Sequence, residues 1–150
     1  MLVVCRANLC RSPMAEGLLQ RAIVDRGLRN QLRVDSAGTQ VTTPGRRPDP
    51  RAVRALAEQA VDISRHRARS VARVRLESYE RILAVDNATY LELDAKLPDP
   101  LRGRLGKLMA YAPPGTPEDL PDPYFGTAQG FDAVARQLQA LVAAVIDDWR

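Results

Sequence analysis

The 150-residue sequence predicts an α/β fold in three layers, a parallel sheet between helices, with a ligand-binding loop after the first strand. Three observations predict it. Short apolar runs alternate with segments of helical period, as in chains whose parallel strands are joined by crossover helices. "RILAVD" contains a continuous apolar run, as a strand buried on both faces does. The segment from Phe131 to Trp149 repeats apolar residues at the 3.6-residue period for about five turns.

The elements follow in order. "LVV" is the first strand. A helix follows in which Ser12 can serve as cap and Pro13 as first residue. Ala15, Leu18, Leu19, Ala22 and Ile23 form its apolar face, and Gly27 marks its stop. "LRVDSAG" reads as strand two and a turn. "PDPRAVRALAEQA" is a second helix, with Asp49 as cap, Pro50 first, and Val53, Leu56, Ala57 and Ala60 inward. "RILAVD" is strand three, and Asp86 at its end suits the cap of a polar helix around Thr89 to Leu97. "KLMAYA" is a candidate fourth strand. "PPGTPEDLPDPYFG" is a loop rich in turn residues, and the long apolar-striped helix closes the order.

Composition narrows the classes of function. The length suits one domain over residues 1–150 with a full core, and 45% apolar with 27% charged residues is ordinary for a globular protein. No apolar run has the length of a membrane span, so a membrane partner is not expected. The N-terminus lacks the pattern of a secretory signal, and two cysteines make no disulfide framework; the reducing cytoplasm is the expected compartment. The net charge is +4, and the densest basic run, "SRHRARSVARVR", carries no interleaved aromatic residues. It reads as a solvated basic face, not a nucleic-acid surface, and is compatible with anionic substrates.

One stretch carries chemistry. In "LVVCRANLCRSPMAEGLL" Cys5 ends the first strand, and Arg11 stands six positions on, at the start of a helix. A bare Cys-x5-Arg pattern is weak, and Cys5 alone would pass for a small buried core residue. The context strengthens it. Ligands of such sheets bind beyond the carboxyl ends of the strands. A loop there can turn backbone N–H groups inward as an anion cradle, and the helix start adds donors and the positive end of its dipole. Arg11 can grip two phosphate oxygens with its planar fork. Such surroundings favour the thiolate of Cys5, which beneath a bound phosphate can attack phosphorus.

"VCRANLCRSPMAEG" resembles the phosphate loop of the low-molecular-weight protein tyrosine phosphatases. The resemblance continues through "DSAGT", "PDPRAV", "DISRHRAR", "RILAVD" and "DPYFG", covering nearly the whole chain in order. It implies a four-stranded parallel sheet flanked by helices, and hydrolysis of phosphomonoesters through a phosphocysteine with no metal or other cofactor. By position it makes Cys5 the nucleophile, Arg11 the phosphate ligand and Asp122 the general acid; a carboxyl in a partly dry loop suits that role. Arg6, Ala7, Asn8, Leu9, Cys10 and Ser12 complete the loop. Ser12 would donate to the thiolate. Asn8 would hold the sharp bend in a left-handed conformation. Ser36 and His66 would brace that asparagine, and Cys10 would be the redox partner of Cys5.

Three departures bear on substrate. Ala7 stands where the family usually has glycine, Arg6 is bulky and charged, and Thr42 falls about where an aromatic would stack on the substrate ring. Tyr124 and Phe125 keep the other wall aromatic. The implied substrates are phosphotyrosine proteins, a tyrosine kinase being one candidate, or small aryl phosphates. Leu9 disfavours the phosphoarginine phosphatases of the same family, which carry threonine there. An arsenate reductase would need further cysteines. A catalytically silent phosphate-binding module would not need Cys5, Arg11 and Asp122 together.

Overall fold

The computed structural model describes residues 1–149. Four short parallel strands, β1 (Leu2–Cys5), β2 (Asp35–Gly38), β3 (Ile82–Ala84) and β4 (Leu105–Lys107), form one sheet in the order β2-β1-β3-β4. Val3 pairs with Ser36 on one side and with Leu83 on the other. The helices are α1 (Arg11–Asp25), α2 (Pro50–Ala57), α3 (Asn87–Lys96), the single turn α4 (Asp99–Arg102) and α5 (Ala128–Trp149).

Side-chain alternation explains why β1 is apolar throughout. Val3 and Cys5 face the larger core, built with α1, α2 and α5; Leu2 and Val4 face the smaller one, with Leu93, Leu97 and Leu101. Leu83 joins Val3 in the larger core, and Ile82 and Ala84 join the smaller. The predicted stripe of α5 is buried from Phe131 to Ile146, and Trp149 is half-buried against the same core. Among the described residues no helix is long and apolar enough to cross a membrane.

Four expectations are corrected. The fourth strand is Leu105–Lys107, paired with β3, while Leu108–Tyr111 of "KLMAYA" is a 3₁₀ turn with Leu108 and Met109 buried. An apolar run without alternation does not separate strand from tight helix. Strand two is shorter than "LRVDSAG" and begins at Asp35. Asp49 caps α2 through the Arg51 N–H and Leu56 is buried, both as expected, but Ala52 and Ala55 are the other buried residues. Val53 is half-buried and Ala57 exposed; Ala60 lies beyond the helix at φ 58°. Alanines stand on two faces of this helix, so periodicity does not choose between them. Finally, Ser12 does not cap α1: the cap position is Cys10, with no side-chain cap hydrogen bond.

The strand order reverses between β1 and β3, since β1 is followed by β2 on one side and by β3 on the other. The segments leaving the carboxyl ends of β1 and β3 therefore bound a crevice, where open α/β sheets bind their ligands.

Candidate active site

The loop from Cys5 to Arg11 fills that crevice. Its bend is Asn8, at φ 58° and fully buried. That conformation is sparsely populated by residues other than glycine, and Asn tolerates it best. All polar atoms of the Asn8 amide are used. Its Nδ2 donates to Ser12 Oγ (2.8 Å) and Ser36 Oγ (3.0 Å). Its Oδ1 accepts from the Arg69 N–H (3.0 Å) and lies 3.1 Å from His66 Nε2. Nε2 meets only acceptors here, Asn8 Oδ1 and the Asn8 carbonyl, so it is the donor nitrogen. Ser36 and His66 thus both contact the Asn8 amide.

The brace runs further than expected. Ser36 Oγ donates to Glu16 Oε2, which also lies 3.4 Å from His66 Nδ1. Arg69 Nε donates to the Ser36 carbonyl at 3.0 Å. The basic run is therefore not wholly a solvated face, for His66 and Arg69 turn inward to hold the loop. Glu16 and Arg69 carry no local signal of this role. Gly38 is needed beside the loop, because a Cβ there would come within 2.6 Å of the Arg6 carbonyl and 3.0 Å of the Asn8 nitrogen. Ala7 needs no glycine: it has no positive φ and packs its methyl against the core.

Cys5 Sγ lies at the loop's centre. The Asn8 N–H donates to it (3.3 Å), and the Ser12 hydroxyl is 2.9 Å away. Since Asn8 donates to Ser12 Oγ, the hydroxyl hydrogen is free to point at sulfur; its other acceptor, the Ala37 carbonyl, is at 3.4 Å. The helix begins at Arg11, so Ser12 stands inside its first turn and its hydroxyl serves the loop.

Arg11 is only 4% exposed. Its Nη1 donates to Asp86 Oδ2 (2.6 Å) and to the Leu120 carbonyl (3.0 Å). Asp86 caps α3 through the Thr89 N–H, as its position suggested, but its other oxygen holds Arg11 across the β1–β3 crevice. Burial pushes the Asp86 carboxyl up; the hydrogen bonds from Thr89 and Arg11 outweigh it and hold the group below the ordinary carboxylate range. Burial likewise acts against the Arg11 cation, and Cys5, Asp86 and Asp122 raise its pKa above the ordinary value despite it. Cys10 is buried, and its thiol is pushed up to about 12, first by burial and then by the Asp49 carboxylate and Cys5.

Asp122 comes to the site on the loop before α5. Its Oδ2 lies 3.6 Å from Arg11 Nη2, and its Oδ1 accepts the Tyr124 N–H (3.1 Å). Its side chain is 42% exposed, so the partly dry surroundings expected of this loop are not present. Arg51, on α2, straps the loop down: it donates to the carbonyls of Tyr124 (2.9 Å) and Gly126 (3.0 Å) while stacked over Phe131. Asp49 holds Arg51 in turn by two side-chain hydrogen bonds. Tyr124 and Phe125 meet edge to face at 4.9 Å, with Phe125 92% exposed. These residues, with Leu9, Cys10 and Thr42, line a pocket of about 300 Å³ whose floor is Cys5 and Arg11. Arg46 and Gln40, which sequence reasoning passed over, line it too.

A cysteine inside a loop between a parallel strand and a helix N-terminus, faced by an arginine and a carboxylate, defines a cysteine-centred phosphatase site. Known proteins give the class its family. The family described as low molecular weight phosphotyrosine protein phosphatase matches residues 1–148. A low molecular weight phosphotyrosine protein phosphatase of Schizosaccharomyces pombe is 32% identical over 131 residues, covering 87% of this chain and 83% of the relative. The crystal structure of a protein tyrosine phosphatase from Entamoeba histolytica superposes with a TM-score of 0.93 at 28% identity, covering 98% of this chain and 94% of that one. A YwlE arginine phosphatase structure is also similar, with a TM-score of 0.87 at 26% identity, covering 98% and 93%. The chain belongs to the low molecular weight phosphotyrosine protein phosphatase family.

Proposed function

We propose that the protein hydrolyses phosphotyrosine through a phosphocysteine on Cys5. The observation that carries the proposal is the convergence of Cys5 Sγ, the Arg11 guanidinium and the Asp122 carboxyl on one pocket with an aromatic wall. In the first step the thiolate attacks phosphorus and an S–P bond forms. The bond from phosphorus to the phenolic oxygen breaks, and Asp122 in its acid form gives that oxygen a proton. Arg11 pairs with the phosphoryl oxygens as their charge shifts. In the second step the Asp122 carboxylate takes a proton from water, whose oxygen attacks phosphorus. The S–P bond breaks, releasing inorganic phosphate and the thiolate. Ser12 and the Asn8 N–H stabilise that thiolate as the leaving group. A reaction that needs a free thiolate suits the reducing cytoplasm, and no step calls on a metal.

Leu9 favours an aryl substrate over phosphoarginine. It lines the pocket with apolar surface and offers no hydrogen bond to a guanidinium, whose desolvation would go uncompensated. Phosphotyrosine, phosphoserine and phosphoarginine peptides should be compared with a simple aryl phosphate. The expected order places phosphotyrosine and the aryl phosphate first, with a phosphoarginine kcat/KM lower by about tenfold or more. A higher kcat/KM for phosphoarginine would overturn the assignment of substrate and leave the phosphatase chemistry standing.

The same loop supports a reversible redox response. Peroxide converts the Cys5 thiolate to a sulfenic acid, releasing hydroxide; the Cys10 thiol then displaces the hydroxyl as water and a disulfide forms. With its thiol pushed up to about 12, Cys10 is a slow resolving group. Its thiolate fraction rises tenfold with each pH unit below that value, so resolution should quicken with pH. Peroxide is expected to inactivate the protein with loss of two thiols, and dithiothreitol to restore it. Cys10→Ser should pass on to the irreversible sulfinic acid. Equal recovery of that variant after matched oxidation would exclude Cys10 as the resolving residue.

A further inference from the structure

The same pocket carries positive charge that the two steps above do not use. Arg6, Gln40, Thr42 and Arg46 line it, and all four are exposed. Fixed backbone presents them. The Gln40 N–H donates to the Arg6 carbonyl (2.8 Å). The strip bearing Arg46 is clipped to Ala68 by two hydrogen bonds, Gly45 N–H to the Ala68 carbonyl (2.8 Å) and Ala68 N–H to the Arg46 carbonyl (2.9 Å). Gly45 turns the chain there at φ 83°, open to glycine and costly for other residues.

Among the described residues no carboxylate forms a salt bridge with Arg6 or Arg46. Gln40 is occupied by Glu92 at 3.1 Å. Arg46 is within electrostatic reach of Asp49, but both Asp49 oxygens already accept hydrogen bonds from Arg51. Across the pocket, Asp122 faces Arg11. With Thr42 among these lining residues, there is no aromatic surface to receive the second face of a substrate ring. Two guanidinium forks at the mouth of a pocket suit a carboxylate beside the reacting group, which they can bind by charge and by paired N–H donors.

We propose that Arg6 and Arg46 form a subsite for a carboxylate side chain flanking the phosphorylated residue, so that acidic phosphotyrosine peptides are the favoured substrates. The proposal rests on the phosphotyrosine reading above and adds a sequence preference to it. Charge on the rim acts on encounter and on KM, and is screened by salt.

Two phosphotyrosine peptides that differ only in Glu or Gln at the flanking positions test it. The wild type should favour the Glu peptide by about three- to tenfold in kcat/KM at low salt, chiefly through KM. The ratio should fall towards one as added salt shortens the screening length below about 10 Å. Arg46→Glu should invert the ratio, and Arg46→Gln should bring it close to one. A wild-type ratio of one at low salt, or a ratio that Arg46→Glu leaves unchanged, overturns the subsite. If the wild type fails to hydrolyse 4-nitrophenyl phosphate, measured alongside, the phosphatase reading itself falls instead.

Discussion

Cys5→Ser is expected to bring turnover of any aryl phosphate below detection while phosphate or vanadate still binds. The loop that surrounds Sγ is held by groups other than the sulfur. Asn8 is fixed by Ser12, Ser36, His66 and Arg69, and Arg11 by Asp86 and the Leu120 carbonyl. The substitution exchanges sulfur for the smaller oxygen at a buried site without emptying the cradle. A serine hydroxyl is far less ionised than a thiol at neutral pH, so the cradle would hold the anion with no competent nucleophile beneath it. Isothermal titration with vanadate and a phosphatase assay separate the two properties. Residual activity near wild type would exclude Cys5 as nucleophile; loss of both activity and anion binding would mean that the sulfur also shapes the cradle.

Asp122→Asn should lower kcat by roughly 10²- to 10⁴-fold for phenols of high pKa, the range in which a positioned general acid acts. For leaving groups that depart readily as anions the loss should shrink, because they need less protonation. The amide can still accept the Tyr124 N–H, so the loop keeps its local turn. The Arg51 strap on the Tyr124 and Gly126 carbonyls is also untouched. A series of aryl phosphates of graded leaving-group pKa reads the slope. A uniform loss across the series would assign Asp122 to loop geometry. Hydrolysis of the phosphocysteine, measured by trapping with an added alcohol, should slow as well, since the same carboxylate activates water.

How far each part was legible follows from the distance over which its cause acts. The stripe of α5, the Asp49 cap and the apolar β1 and β3 are written in neighbouring residues, and each was found where expected. The fourth strand was misplaced because Leu105–Lys107 is short and defined by its partner, β3. The face of α2 was misread because its alanines suit either side. Asp86 was legible as a cap from its place after a strand. Its bond to Arg11, 75 residues away, was not, since nothing local to either residue requires it.

The sequence by itself determined the α/β class, the cysteine–arginine loop and the family, because the order of motifs along the chain carries all three. Only the tertiary structure decided how that loop is held and what rims it. Glu16, Ser36, His66 and Arg69 meet around Asn8 because α1, β2 and the segment after α2 pack against one another. Arg51 reaches the Asp122 loop because α2 and α5 share a core. Arg46 comes to the pocket mouth through backbone bonds to Ala68. A side chain's charge and size are properties of one position, whereas a contact is set by burial and backbone pairing summed over the whole chain; the chemistry of this protein lies in the first and its geometry in the second.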